Sequence, residues 1–514
     1  MDTEKPSRRV ASESVRETRE IAVGLDARAA YAAIRAHDAR FDGRLFVGVS
    51  STRIYCRPVC PAKTPRFENC TFFASAAAAE RAGFRPCLRC RPELAPGLAR
   101  IDALSRLAQR AVRRIEDGAS EMPALARALG VSERHVRRAL TAELGVAPAE
   151  LIRTRRLLLA KQLLTDTRMT VTDVAFASGF ASLRRFNAAF RERYRLAPTA
   201  LRKSAAAKPV RTARTATLVE ATPDAIALDL PFRPPLDFAA LLGFLAPRAT
   251  RGVEVVSEAC YARTVQYGER RGWVAVARSP RANALRAQIS ASLVPALLPV
   301  AAKLRALFDL ASDPAQIEAQ LGADARLCAG IAAHPGLRVP GAFDGFELLA
   351  RAILGQQVSV AAATTFAARL GERFGEAVET PHAALTRLTP TPERIASARV
   401  DAIAAIGITR PRAASLRAAA LACVEGALDL APGADPERVR EALLALPGVG
   451  PWTADYVLMR AVAWPDAFPH GDLGLRRALG IDDARVVLAR AEAWRPWRAY
   501  GALHLWTSLA TKET

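Results

Sequence analysis

The chain reads as a multidomain α+β protein, and three observations lead there. Its 514 residues suffice for three or four domains, each with its own core. Helical text, an Ala/Thr/Pro-rich break and strand-like alternation follow one another in separate blocks. A glycine hairpin, Leu446-Pro-Gly-Val-Gly-Pro-Trp452, then interrupts a long helical stretch near the end. The expected units are a mobile, charged N-terminus over 1–22 and a small cysteine-bearing α/β module over 23–97. An all-α unit with two helix-turn-helix segments covers 98–203, and a linker covers 204–225. A second small α/β domain spans 226–335, and a mainly α domain spans 336–514.

Charge narrows the partners. The formal net charge is +22, of which residues 1–210 carry +18, with 39 Lys+Arg against 21 Asp+Glu. A basic half of this kind is the electrostatic footprint of a polyanion partner, most simply nucleic acid, although an Arg-rich proteome would give the same excess. No apolar run reaches membrane length, and Met1–Glu20 has no secretory core, so the expected setting is cytoplasmic, with no membrane partner. In a reducing compartment, eight cysteines read as thiols or metal ligands rather than a disulfide framework.

Cys56-Arg-Pro-Val-Cys60 and Cys87-Leu-Arg-Cys90 are two close pairs separated by a loop. Each pair can chelate from one turn, and four thiolates suit one tetrahedral Zn²⁺. By spacing alone a purely structural zinc ribbon is the favoured reading. Its surroundings, Phe41-Asp-Gly-Arg-Leu-Phe, Ile54-Tyr-Cys-Arg-Pro-Val-Cys60, Glu68-Asn-Cys-Thr-Phe-Phe73 and Gly83-Phe-Arg-Pro-Cys-Leu-Arg-Cys-Arg-Pro92, resemble the Ada-type methylphosphotriester-sensing regulator. The resemblance implies that Cys56 is the methyl acceptor and that Cys60, Cys87 and Cys90 complete the ligand set. Cys70 is expected as a buried thiol, and Cys260, Cys328 and Cys423 as core residues.

Pro123–Gly130 followed by Val131–Leu140 reads as helix, glycine turn, helix, with Ser132 as N-cap. The unit recurs as Val171–Gly179 and Phe180–Phe190, with Ser182 capping. Two such units about fifty residues apart resemble the AraC-type helix-turn-helix domain, whose second helices enter major grooves. Arg134, His135, Arg137 and Arg138, then Arg184, Arg185 and Asn187, are the candidate DNA contacts, each arginine as suited to phosphate as to a base edge.

In the C-terminal half, Leu285–Ser290 alternates as a half-buried strand does. Further on, Gly448 and Gly450 allow a tight turn between helices whose backbone N–H groups can reach a DNA phosphate. Asp472 stands twenty residues beyond Trp452. Leu242–Ala249, Leu307-Phe-Asp-Leu310, Arg351–Val360 and Trp494–Trp506 match, in order, the AlkA-type 3-methyladenine DNA glycosylase II of the helix-hairpin-helix superfamily. The resemblance covers about 230–510 and implies a TBP-like α/β domain before the helical catalytic part. It makes Asp472 the catalytic carboxylate, and Trp452, Tyr456 and Trp506 the base pocket. By itself, an aspartate before Leu-Gly-Leu-Arg-Arg is more often a helix N-cap; the hairpin upstream favours the site role, and the two roles are compatible.

Chemistry supports the implied roles. A carboxylate stabilises the positive charge that develops on the sugar as the glycosidic bond breaks. Aromatic faces attract a cationic alkylated base by roughly 0.5–2 kcal/mol each. Trp452 stands where bifunctional relatives carry a lysine nucleophile, which points to a monofunctional enzyme. No cysteine follows Cys423, so no iron–sulfur cluster is expected. Two departures stand out. Gln357 replaces the family's apolar wedge, and the Pro-Cys-His-Arg nucleophile of Ada-type C-terminal halves is missing. His470 and His504 are expected to be structural. The expected partners are alkylated double-stranded DNA and promoter DNA, with RNA polymerase as a further candidate, a monovalent cation as a candidate at the hairpin, and a monomeric chain. The rival reading is a transcription regulator whose C-terminal half binds DNA without cleaving it.

Overall fold

The computed structural model describes residues 25–97, 106–116, 118–119, 121–206 and 225–510. The expected mobile N-terminus, and all but the ends of the expected linker, lie outside these residues.

The cysteine module opens on helix α1 (Ala27–Arg35), N-capped by Asp26, and builds a four-stranded sheet in the order β3-β1-β2-β4. Its strands are β1 (Phe46–Val49), β2 (Ile54–Cys56), β3 (Cys70–Phe73) and β4 (Arg85–Pro86), and α2 (Ala76–Arg81) lies between the last two. Pairing of β2 with β4 in parallel, Ile54 to Arg85 and Tyr55 to Pro86, puts the strand end at Cys56 beside Cys87. Two ligand pairs distant in sequence therefore meet through sheet register.

The next seven helices are α3 (Arg106–Glu116), α4 (Met122–Leu129), α5 (Glu133–Leu144), α6 (Pro148–Asp166), α7 (Val171–Ala177), α8 (Leu183–Tyr194) and α9 (Pro198–Ala206). The expected caps form. Ser132 Oγ accepts the His135 N–H at 3.3 Å and Ser182 Oγ accepts that of Arg185 at 3.2 Å. Val136, Leu140 and Leu144 bury one stripe of α5; Phe186, Phe190 and Tyr194 bury the matching stripe of α8.

Beyond the linker, a five-stranded antiparallel sheet runs β5-β9-β8-β7-β6. The strands are β5 (Ala225–Pro231), β6 (Glu254–Val256), β7 (Cys260–Tyr267), β8 (Arg270–Arg278) and β9 (Ala284–Ser290), the last covering the alternating segment read from sequence. Helices α10 (Phe238–Leu245) and α11 (Leu297–Leu307) cover one face, packing Leu242 and Leu304 against Leu230, Val276 and Ile289. The remainder is helical, with a core that joins Ile317 and Leu327 to Trp494 and Leu503.

Of the expectations about the lone cysteines, only that for Cys260 holds in full. Cys260 is buried, Cys70 and Cys423 are only half-buried, and Cys328 is exposed. Cys328 lies on the Ala325–Ala333 helix, which buries Leu327 and turns its neighbour outward.

Candidate functional site

Asp472 is the N-cap of the helix Leu473–Leu479, and its carboxylate is held by three N–H donors from three directions. Oδ1 accepts the Leu475 backbone N–H at 3.0 Å and the Trp506 indole N–H at 2.9 Å. Oδ2 accepts the Trp452 indole N–H at 2.9 Å. Trp452 comes from the hairpin helix Pro451–Arg460, and Trp506 from the helix Arg498–Ala510. Capping and site position therefore coexist in one half-buried carboxylate. Gly474 makes this possible: a Cβ there would lie 3.0 Å from Asp472 Oδ1 and 3.3 Å from the Trp506 ring.

Trp452 and Tyr456, one turn apart, stack with ring centroids 5.2 Å apart and planes 8° from parallel. The Arg460 guanidinium donates to the Tyr456 hydroxyl at 2.7 Å. Burial pushes that phenol up, yet the Arg460 and Arg248 charges outweigh it and hold it below its ordinary value. Trp452 and Trp506 thus meet Asp472 through their indole N–H edges, and Tyr456 stacks on Trp452.

Gly448 has φ +75, and a Cβ there would lie 2.7 Å from Ser415 Oγ, so the hairpin needs glycine for both backbone and space. A Cβ on Gly450 would meet nothing within 4 Å, which leaves that side of the hairpin open to a close-approaching backbone. Gln357 is exposed and left-handed, φ 55, at the tip of the loop after the helix Gly345–Leu354. Its neighbour Gln356 ties that loop to the hairpin, donating to the Gly448 carbonyl at 2.8 Å and to Thr453 Oγ1 at 3.2 Å. Gln356, Arg460 and Gly474 were not singled out from sequence. A glycine two places after an N-cap aspartate was the available signal for Gly474. His504 is buried, which lowers its imidazole to about 4, and His470 is half-buried.

At the other end of the chain, the sulfur atoms of Cys56, Cys60, Cys87 and Cys90 all lie within 4.8 Å of one another. Tetrahedral coordination with Zn–S bonds of about 2.3 Å sets S···S separations of about 3.8 Å, so the set fits one Zn²⁺. Backbone N–H groups of Arg57 and Arg89 reach Cys90 Sγ at 3.4 Å and Cys87 Sγ at 3.3 Å. The Arg57 side chain is anchored on Asp42, with Nε donating to Oδ1 at 2.7 Å. Three of the thiols are buried, and Cys56 alone of the four is half-buried.

On the helix-turn-helix unit, Arg134, His135, Arg137 and Arg138 stand exposed on α5. Arg184 and Arg185 are exposed on α8, and Asn187 is half-buried there. These are second helices of their units, and their buried stripes face the core, so the exposed sides are free to meet a groove.

A thiolate zinc module, a double helix-turn-helix unit and a hairpin-bearing helical domain with a caged aspartate define a DNA-binding regulator joined to a base-excision fold. Family models agree in the same order. They match the metal binding domain of Ada over 29–93, a helix-turn-helix domain over 125–204, the AlkA N-terminal domain over 227–344 and the HhH-GPD superfamily base excision DNA repair protein over 350–485. A probable bifunctional transcriptional activator/DNA repair enzyme AlkA of Mycobacterium tuberculosis (strain CDC 1551 / Oshkosh) is 40% identical over 486 residues, 93% of this chain and 96% of that protein. The chain belongs to this family of fused Ada/AlkA proteins. The DNA-3-methyladenine glycosylase 2 of Escherichia coli (strain K12) is 39% identical over 278 residues, 54% of this chain and 95% of that protein. Among solved structures, a 3-methyladenine DNA-glycosylase from Archaeoglobus fulgidus aligns at a TM-score of 0.47 with 23% identity, covering 55% of this chain and 97% of that one.

Proposed function

We propose that the protein removes N-alkylated purines, 3-methyladenine foremost, from double-stranded DNA, and that it senses methylated DNA phosphates through Cys56. The observation that carries the first part is the Asp472 carboxylate fixed by two indole N–H groups and its own helix, next to the hairpin. A base extruded past Gln357 would stack against the Trp452, Tyr456 and Trp506 cluster, bringing its C1′ toward Asp472. As the C1′–N bond breaks, its electron pair leaves with the base, which becomes neutral. The developing positive charge on the sugar is then met by a carboxylate that needs no reorganisation. Water completes the hydrolysis, and no amine stands at position 452 to form a Schiff base.

For the second part, the four cysteines would hold Zn²⁺, which when bound keeps its sulfur ligands deprotonated at neutral pH. Cys56 is the ligand open to an incoming duplex. Its sulfur attacks the methyl carbon of a methylphosphotriester; the S–CH₃ bond forms as the CH₃–O bond breaks, and the phosphate leaves as a diester anion. The thiolate's negative charge is lost in the step, which lowers repulsion from the DNA backbone and strengthens promoter binding through α5 and α8. In this reading Arg134, His135, Arg137, Arg138, Arg184, Arg185 and Asn187 supply the contacts, a monovalent cation sits at the Gly448–Gly450 hairpin, and the protein works as a cytoplasmic, nucleoid-associated monomer in reach of RNA polymerase. No helix among the described residues is long and apolar enough to cross a membrane.

The test combines two readouts on one sample. Methylated duplex DNA should lose 3-methyladenine, and mass spectrometry should find about +14 Da on the Cys56 peptide. Base retention with methyl transfer intact would leave the regulator-only reading standing; an unmodified Cys56 peptide would leave a purely structural zinc module.

A further inference from the structure

The regulatory half and the glycosylase half touch through surfaces built as carefully as either site. On one side, Leu163 and Val174 of the helix-turn-helix unit share a single buried core with Leu228 and Leu297 of the second α/β domain. The turn of the second unit rests on α11, with the position of a Cβ on Gly179 only 3.6 Å from Leu298. Buried Gln162 donates to the Asp229 carbonyl at 2.9 Å, satisfying a strand-edge acceptor across the boundary.

An ionic junction sits at the end of α6. Asp166 accepts from Arg91, the residue after zinc ligand Cys90, at 2.8 and 2.9 Å. It also accepts from Arg281 of the second α/β domain at 3.2 Å, and Arg281 pairs in turn with Asp229 at 2.9 Å. One carboxylate therefore joins the cysteine module, the helix-turn-helix unit and the glycosylase half. These side chains are largely shielded from solvent, so the pairs are less screened than surface ones.

On the other side, α3 presents an arginine every fourth residue, which places Arg106, Arg110 and Arg114 on one helix face. They meet Glu437 at 3.0 Å, Asp435 at 3.1 Å and Asp429 in the glycosylase domain. Arg110 also donates to the Gly433 carbonyl at 3.1 Å. The outermost pair, with Arg106, is well exposed and contributes little; the inner two are more enclosed.

We infer that the two halves form one body clamped by this interface, so that the segment between residues 206 and 225 is not needed to hold them together. The apolar contact, the Asp166 junction and the arginine ladder together hold the clamp, and the charged pairs also set its register. The clamp also places the turn of the first helix-turn-helix unit beside the leading helix of the hairpin, Pro436–Leu444. A Cβ on Gly130 would come 2.9 Å from the Arg438 guanidinium. The two DNA-reading elements are thereby neighbours rather than independent arms.

The experiment uses the full chain carrying a protease site within 207–224. After complete cleavage, size-exclusion chromatography at low salt should give one peak containing both fragments. The variant Arg106→Glu/Arg110→Glu/Arg114→Glu, cleaved in the same way, should give two peaks, each folded by circular dichroism. Separation of the cleaved unmutated chain into two folded fragments at low salt overturns the clamp; co-elution of the variant fragments removes the ladder from it. Small-angle scattering on the uncut protein supplies the second measure. A radius of gyration near 24 Å, the value of about 2.2·N^0.38 for a compact chain of this length, is expected. A value half as large again contradicts one body.

Discussion

The zinc cluster and the aspartate cage solve the same problem with opposite means. Each must bring a negatively charged atom up to a DNA strand without letting it wander. In the N-terminal module the constraint is chelation: four cysteines, three of them buried and Cys56 half-buried, bring their sulfurs within 4.8 Å of one another. In the glycosylase domain it is hydrogen bonding: two indoles and one backbone amide grip both oxygens of Asp472. In the proposed reading the first arrangement spends its reactive atom, because a methylated Cys56 is a neutral thioether and no longer a thiolate nucleophile. In the same reading the second consumes nothing, since Asp472 would act through its field and remain unchanged at every turnover. A sensor that records damage needs the former, and a catalyst needs the latter.

Substitutions that break each side separately sharpen this contrast. Cys56→Ser should abolish methyl uptake completely, read as loss of the mass shift, while base release stays at the unmutated rate. If Cys56→Ser also slowed base release, the two chemistries would not be independent. Next in size, Asp472→Asn should lower the single-turnover rate of base release on the order of 10²–10³-fold, as loss of a preorganised electrostatic group does. Asparagine keeps one acceptor for the cap but turns an NH₂ toward the Trp452 indole N–H, so the Asp472→Asn variant should melt slightly below the unmutated protein. Asp472→Ala, which also loses the cap, should be about 1 kcal/mol less stable still.

Smaller effects probe the cage itself. Gly474→Ala introduces a methyl group 3.0 Å from Asp472 Oδ1 and should displace the carboxylate, slowing release roughly tenfold or more without changing DNA affinity. Trp452→Phe keeps a ring to stack on Tyr456 but deletes one N–H donor, and should slow release by about tenfold, the worth of one hydrogen bond to a charged group. Equal rates for Trp452→Phe and the unmutated enzyme would mean that stacking, not the indole edge, is what position 452 contributes.

Sequence made these two regions legible to different depths. Paired cysteine spacing pointed directly to the metal site, because chelation from a turn is a local property. The helix-turn-helix caps at Ser132 and Ser182 were equally local and formed as expected. At Asp472 the site role remains part of the proposal, and the cap reading describes the observed side chain. Its indole donors were not legible, since Trp452 and Trp506 reach it only after helices at 451–460 and 498–510 pack around the helix at 473–479. Cys328 shows the reverse failure: apolar text placed it in the core, but periodicity alone did not say which helix face would be covered. The junction at Asp166 was silent because its partners, Arg91 and Arg281, come from two stretches of chain distant in sequence.

The central claim is that a fixed carboxylate at position 472 stabilises charge on the sugar of an alkylated nucleotide. Single-turnover release of 3-methyladenine from methylated duplex DNA, compared between the unmutated protein and Asp472→Asn at saturating enzyme, measures it directly. Release by the former and a loss on the order of 10²–10³-fold in the latter, with DNA binding preserved, are expected. Equal release by both proteins, or none by either while both bind the duplex, would contradict it.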